Sequence, residues 1–348
     1  MASSLTRLTA ALLAGAALVS AGASTYDHGD REDRDDSAVY RIALNGDMPY
    51  GDRGRAEYPN VIKEINAFRP AFTLFDGDTK SGSGTCPDSF YPANKAAYWD
   101  VYRQPAVYAV GDNEWTDCDR ASNGGYDTNS RLAIIRQTYF STPYSLGQHP
   151  LRVERAAGYP EIQRFTKGKV TYVVLHVTGS NNNYPVLDAA GKPVLDSKGR
   201  VDGDAAEAAA RDAANQAWLR QSFELAKAGG SVAVMVVLQA DMDWYHQFPL
   251  TPGTTDGFAA TRKTLLQQTV GFTGQVVLVN GDSHSFVVDK PLADTKGETV
   301  ENFTRVQTFG SAQNHWVSAD VDPRDPQVFT FRQHIVTANL ADHTGAIG

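Results

Sequence analysis

Positive charge is scarce in this chain of 348 residues: 32 Lys and Arg stand against 40 Asp and Glu, for a formal net charge of −8. That balance leaves no basic footprint for nucleic acid or anionic lipid. Beyond the amino-terminal segment, no stretch approaches the ~18 uninterrupted apolar residues that a membrane span requires. The "GTT" and "GSG" stretches lack the lysine and the spacing of a phosphate-binding loop. Ser180 lacks the Gly-x-Ser-x-Gly frame of a serine hydrolase. Only two cysteines are present, Cys86 and Cys118. No internal linker divides the chain.

What is present begins with "MASSLTRLTAALLAGAALVSAGA". It has one positive charge (Arg7), an apolar stretch over 8–19 and the small residues Ala21-Gly22-Ala23. This layout is that of a secretory signal peptide over residues 1–23, so a secreted or periplasmic protein is expected. Residues 24–38, "STYDHGDREDRDDSA", are charged with almost nothing to bury and read as a disordered leader. Residues 39–348 are long enough for one large domain with a substantial core.

Within that domain, apolar runs alternate with helical patterns. "AVYRIALNGD", "FTLFDGD", "AVYAVGD", "VTYVVLHV", "VAVMVVLQAD" and "QVVLVNGD" read as strands. "AEYPNVIKEINAF", "ANKAAYWDVY", "RLAIIRQTYF" and "FAATRKTLLQQTV" read as helices. So does "DAAEAAARDAANQAWLRQSFELAKAG", with Asp204 as its cap and Gly229-Gly230 as its end. The trailing "TRVQTFG", "HWVSADVD" and "VFTFRQHIV" look like antiparallel strands. Strands apolar at nearly every residue and separated by helices indicate an α/β fold with buried sheets, where ligands bind at the carboxyl ends of strands. "PVLDAAGK" at 185–192 is nearly repeated by "PVLDSKGR" at 193–200, a surface hairpin or flap.

Five strands end in the same chemistry: "NGDMPYGD", "FDGDTKSG", "VGDNEW", "LQADMD" and "NGDSHSF". One Gly-Asp at a strand end is an ordinary turn. Four at the ends of one sheet converge, and convergent carboxylates repel unless a cation sits among them. A metal centre follows.

In order and spacing these motifs resemble the calcineurin-like metallophosphoesterase superfamily, over residues 39–286. The set "GDTKSGS", "GDNEWTDC", "HVTGSNN", "QAD" and "GDSH" is similar to a variant branch of it. The resemblance implies a two-sheet β-sandwich flanked by helices (α/β/β/α) that hydrolyses phosphomonoesters or phosphodiesters with a metal-activated water at a binuclear site. Asp47, Asp78 and His284 would hold one ion; Asp78, Asp112, Gln239 and Asp282 would hold the other. Asp78, shared by both, would be the most sensitive. Pro49, Gln239 and Asp282 stand where the family has metal-binding histidines, and Asn113 stands where it has the catalytic one. Oxygen-rich ligands favour manganese, magnesium or calcium over zinc or iron. His176, ending its own strand, is the expected replacement proton donor beside Asn113.

The partner implied is a small phosphoester substrate; no protein partner is implied. The alternative is a non-catalytic protein that binds a metal or phospho-ligand on the same variant fold. If Asp78 and Asp112 approach one metal, their loops are neighbours, and in an oxidising compartment Cys86 and Cys118 should pair.

Overall fold

The computed structural model describes residues 38–247 and 249–340. The signal peptide and all but the last residue of the expected leader lie outside the described residues.

Each strand expected before an Asp-bearing turn is present. In the first sheet β1 (Tyr40–Asn45), β2 (Thr73–Phe75) and β3 (Ala106–Tyr108) run parallel. In the second, β6 (Val170–Val174), β7 (Ala233–Val237) and β8 (Gln275–Asn280) run parallel. A hairpin of β4 (Glu154–Ala156) and β5 (Tyr159–Lys167), absent from the sequence reading, extends the second sheet antiparallel to β6. Gly158 turns that hairpin at φ 79°, a value that only glycine adopts freely.

The trailing strands divide between the sheets. β11 (Trp316–Val321) pairs antiparallel with β1 and with β12 (Phe329–His334). β10 (Phe303–Gln307) instead runs parallel to β8, contrary to the expected antiparallel pairing, and only its other neighbour β9 (Val287–Asp289) is antiparallel to it. The resulting orders are β12-β11-β1-β2-β3 and β4-β5-β6-β7-β8-β10-β9.

Three apolar layers show how the sheets stack. Ile42, Leu44, Leu74 and Val107 of the first sheet meet Tyr172, Met235, Val277 and Val306 of the second. The other face of the first sheet packs Ala43, Phe75 and Tyr108 against α1 (Gly51–Phe68), α2 (Phe90–Ala97) and α3 (Thr128–Tyr139), through Val61, Tyr91 and Ile135. The other face of the second sheet packs Val173, Val234 and Leu278 against Leu219 and Leu265. These last two come from α5 (Ala205–Ala228) and α6 (Ala259–Val270); α4 (Gly179–Asn182), a short turn with left-handed backbone at Ser180 and Asn181, lies before them. The architecture is two sheets flanked by helices. Alternating strand residues serve opposite apolar layers, so a central strand such as β7 is apolar at every position. The Asp204 side chain caps α5 by accepting from the backbone N–H groups of Ala206 and Glu207.

Candidate functional site

Five strand ends, three from the first sheet and two from the second, open onto one acidic bowl. The sequence had placed them on one sheet; the inter-sheet contact is what brings them together. Asp47 follows β1, Asp78 follows β2, Asp112 follows β3, Gln239 follows β7, and Asp282 with His284 follows β8. Asp47, Asp78, Asp282 and His284 all take positive φ (49°, 61°, 73° and 60°). Left-handed backbone at a non-glycine residue costs energy and concentrates at functional sites. The glycines before Asp47 and Asp282 admit the carboxylates of Asp76 and Asp47, and Gly77 before Asp78 admits the Gln239 side chain. A Cβ on Gly111 would lie 2.5 Å from the Asp78 backbone nitrogen and nearer still to its Oδ1.

The contacts join the bowl from side to side. Asp47 Oδ2 accepts from the Asp282 backbone N–H (2.9 Å), and its Oδ1 lies 3.5 Å from His284 Nε2. His284 Nδ1 meets the Ser311 carbonyl at 2.6 Å, which makes Nδ1 the protonated nitrogen. Asp78 Oδ2 accepts from Tyr50 Oη (2.9 Å), Asn113 Nδ2 (2.8 Å) and Gln239 Nε2 (3.2 Å). Gln239 Oε1 accepts from the Gly179 N–H at 2.6 Å, which fixes the orientation of the amide. Asp112 Oδ2 and Asp117 Oδ1 both lie 2.7 Å from the Ser180 hydroxyl. Arg120 pairs with Asp117 at 2.5 Å.

Burial pushes the carboxyl of Asp78 well above the ordinary range, and repulsion from Asp112, Glu114, Asp47 and Asp282 adds to it. Asp282 is raised by burial and then by Asp112. Asp47 is raised by burial, although His284 opposes the shift. Burial alone would depress His284, yet the Asp47 carboxylate lifts it above its usual value. Asp112 Oδ1 is buried with no hydrogen-bond partner.

The chemistry of this set fits a hard divalent cation, since buried mutually repelling carboxylates are what such an ion neutralises. The Gln239 oxygen accepts from Gly179, and the N–H groups of the Gln239 and Asn113 amides face Asp78. Among the described residues, no three His, Cys, Asp or Glu side chains are grouped as a complete metal site.

His176 is not brought to the bowl, which corrects its expected role as proton donor. Its ring is fully buried, with Nδ1 on Glu161 Oε1 at 3.0 Å and the ring centroid 5.1 Å from that of Trp115. Its strand end is covered by α5, where Asn215 and Arg211 bond the His176 backbone. Asn113 is in the bowl, but its amide nitrogen is occupied by Tyr50 and Asp78.

Tyr50, Ser180 and Asp117 were missed as site residues. "GDMPYGD" and "GDNEWTDC" did contain two of them, but no spacing rule points a phenol or a second Asp back into a turn. Cys86 and Cys118 form a disulfide with Cα atoms 5.8 Å apart, tying the loop after Asp78 to the loop after Asp112.

No protein-family model and no curated protein matches the chain. Solved structures similar to it include a dimetal phosphatase from Danio rerio, at 11% identity and TM-score 0.46 over 81% of this chain and 92% of that one. Another is GAP50, titled the anchor in the inner membrane complex of Plasmodium, at 12% identity and TM-score 0.45 over 85% and 88%. A third is a 5'-nucleotidase from Candida albicans SC5314, at 11% identity and TM-score 0.43 over 86% of this chain and 51% of that one.

Proposed function

We propose that the chain is a cation-dependent hydrolase of small phosphoesters, exported to an oxidising compartment. The observation that carries this reading is the bowl: carboxylates from two sheets, raised by burial and mutual repulsion, with His284 as the imidazole beside them. Asp47, Asp112, Asp282 and His284 are the side chains that would hold an ion. When bound, a divalent ion supplies charge neutralisation at a phosphoryl oxygen and acidifies a water. The disulfide supports the oxidising compartment. Among the described residues, no helix is long and apolar enough to cross a membrane.

The chain's own groups supply the rest. The Ser180 hydroxyl lies at equal distance from two carboxylates, Asp112 and Asp117, and of the two Asp117 is the better placed to hold a proton. Burial, then Asp112, push its carboxyl up to about 8. The Arg120 guanidinium opposes that shift, and the group lies at the edge of the bowl beside Asp112. A cleft of about 1010 Å³ opens beside Asp282 and Ser180, walled by Met242, Leu250 and Phe258, with room for a leaving group.

Assays of p-nitrophenyl phosphate and bis(p-nitrophenyl) phosphate with manganese, magnesium or calcium test the reading. Turnover that requires the ion and is lost in Asp112→Asn and Asp282→Asn is expected; inactivity with every ion defeats it. A second reading, a non-catalytic binder of a metal or phospho-ligand, is favoured by the Asn113 amide nitrogen being occupied by Tyr50 and Asp78. Tight ion binding without turnover would select it.

A further inference from the structure

In the two-ion centre that the family resemblance implies, both ions share the Asp78 carboxylate. Here that carboxylate is already surrounded by donors. Tyr50, Asn113 and Gln239 all donate to Oδ2, while the Asn113 backbone N–H donates to Oδ1 at 3.2 Å. The Tyr50 hydroxyl also lies 3.4 Å from Asp47 Oδ1, so it stands between the two aspartates that a first ion would join. Its oxygen accepts from Asn113 Nδ2 at 2.8 Å, which turns its own proton toward Asp78. A cation at Asp78 would face the positive ends of these N–H and O–H dipoles across the same oxygen. The two amides stand at positions where the family resemblance calls for imidazole, and both turn N–H toward Asp78.

Asp112 is the opposite case. Its Oδ1 is buried, has no partner, and belongs to a residue only 6% exposed. Its Oδ2 accepts from the Ser180 hydroxyl at 2.7 Å, which leaves Oδ1 as the carboxylate oxygen without a donor.

We infer that the bowl takes one divalent ion, on the Asp112 side, and that Asp78 is a hydrogen-bonded anchor for Tyr50, Asn113 and Gln239. An ion of the magnesium type suits a side of the bowl that offers few side-chain ligands. Such an ion keeps several waters and takes one or two carboxylates plus substrate phosphate. The inference rests on the cation-dependent reading of the bowl and narrows it.

The experiment is calorimetric titration of manganese into the purified full chain after chelator treatment and dialysis, with metal content measured in parallel. Wild type and Asp78→Asn should each bind one ion, while Asp112→Asn should lose affinity by about tenfold or more. Two ions per wild-type chain would overturn the inference. So would no ion at all, an unchanged affinity in Asp112→Asn, or loss of the ion in an Asp78→Asn variant whose circular dichroism matches wild type. The wild-type count decides the matter even if Asp78→Asn does not fold. One ion without turnover leaves the inference standing and defeats the hydrolase reading; two ions with turnover does the reverse.

Discussion

Asp119 sits one residue beyond Cys118 and is 3% exposed. Burial, then repulsion from Asp202 and Asp196, push its carboxyl up to about 6. A carboxyl raised in the folded state contributes stability that is present below its unfolded value near 4 and lost as pH rises through 6. Asp119→Asn keeps the shape without the charge. Its melting temperature should exceed that of wild type at pH 8 and match it at pH 4, by differential scanning calorimetry. Glu161 is shifted the other way. Burial alone would raise it, but the His176 hydrogen bond and the two-pronged pairing with Arg136 (2.9 and 2.6 Å) hold it down to about 2. Its contribution is therefore present above the unfolded value and lost as pH falls toward 2. Glu161→Gln leaves Arg136 and His176 without their anion and should cost about 3 kcal/mol at neutral pH. Urea unfolding checks this, and the gap to wild type should close as the solution is acidified toward pH 2.

At the scale of elements, the strand-to-turn junctions set the geometry of the bowl. Gly111→Ala is permitted by the backbone but forces a methyl group into the Asp78 backbone and carboxylate. The expected loss is about 1–3 kcal/mol by chemical denaturation, as for other overpacked sites. The disulfide closes a separation of 32 residues. Thiol titration of the unreduced, denatured protein should find no free thiol, and reduction should cost roughly 3 kcal/mol in the chain-entropy picture. Residues 180–183, Ser-Asn-Asn-Asn, take positive φ at four successive positions (49°, 52°, 53° and 65°). Asparagine tolerates that region best among non-glycine residues, so an Asn run suits this turn. What the run does not announce is its anchor. The fully buried Arg211 donates to the Asn182 carbonyl (2.9 Å) and the His176 carbonyl (2.7 Å), holding Ser180 against Asp112.

For the whole molecule, the bowl couples ion binding to stability. Asp47, Asp78, Asp282 and His284 are all raised in the folded state. Their joint contribution falls as pH rises from the ordinary carboxylate range through neutrality. In chelator, the melting temperature should therefore drop between pH 5 and pH 8. Manganese should restore it, most strongly at pH 8 where protons no longer compete for the carboxylates. Saturation at about 100 times the dissociation constant corresponds to ~2.7 kcal/mol. Equal melting curves with and without manganese at pH 8 would count against any ion in the bowl.

Periodicity and strand-end chemistry were legible in the residues themselves. Continuous apolar runs fixed buried strands because both faces of each sheet are covered, and Gly-Asp after each run marked where the chain turns at the carboxyl end. The β4–β5 hairpin was not legible: "ERAAGYPEIQRFTK" mixes charge with apolar residues, since Arg164 and Glu161 are buried and pair with the exposed Glu154 and with Arg136 of α3. Local pattern cannot anticipate pairing across the fold. The same limit applies at the site. Sequence determined which carboxylates, amides and imidazole lie at strand ends, because that is a one-dimensional property. Only the stacking of two sheets decided which of them meet. It set Tyr50, Asn113 and Gln239 around Asp78, left Asp112 Oδ1 without a partner, and sealed His176 beneath α5, because contacts between residues 28 to 161 positions apart depend on the packed core and not on their neighbours in the chain.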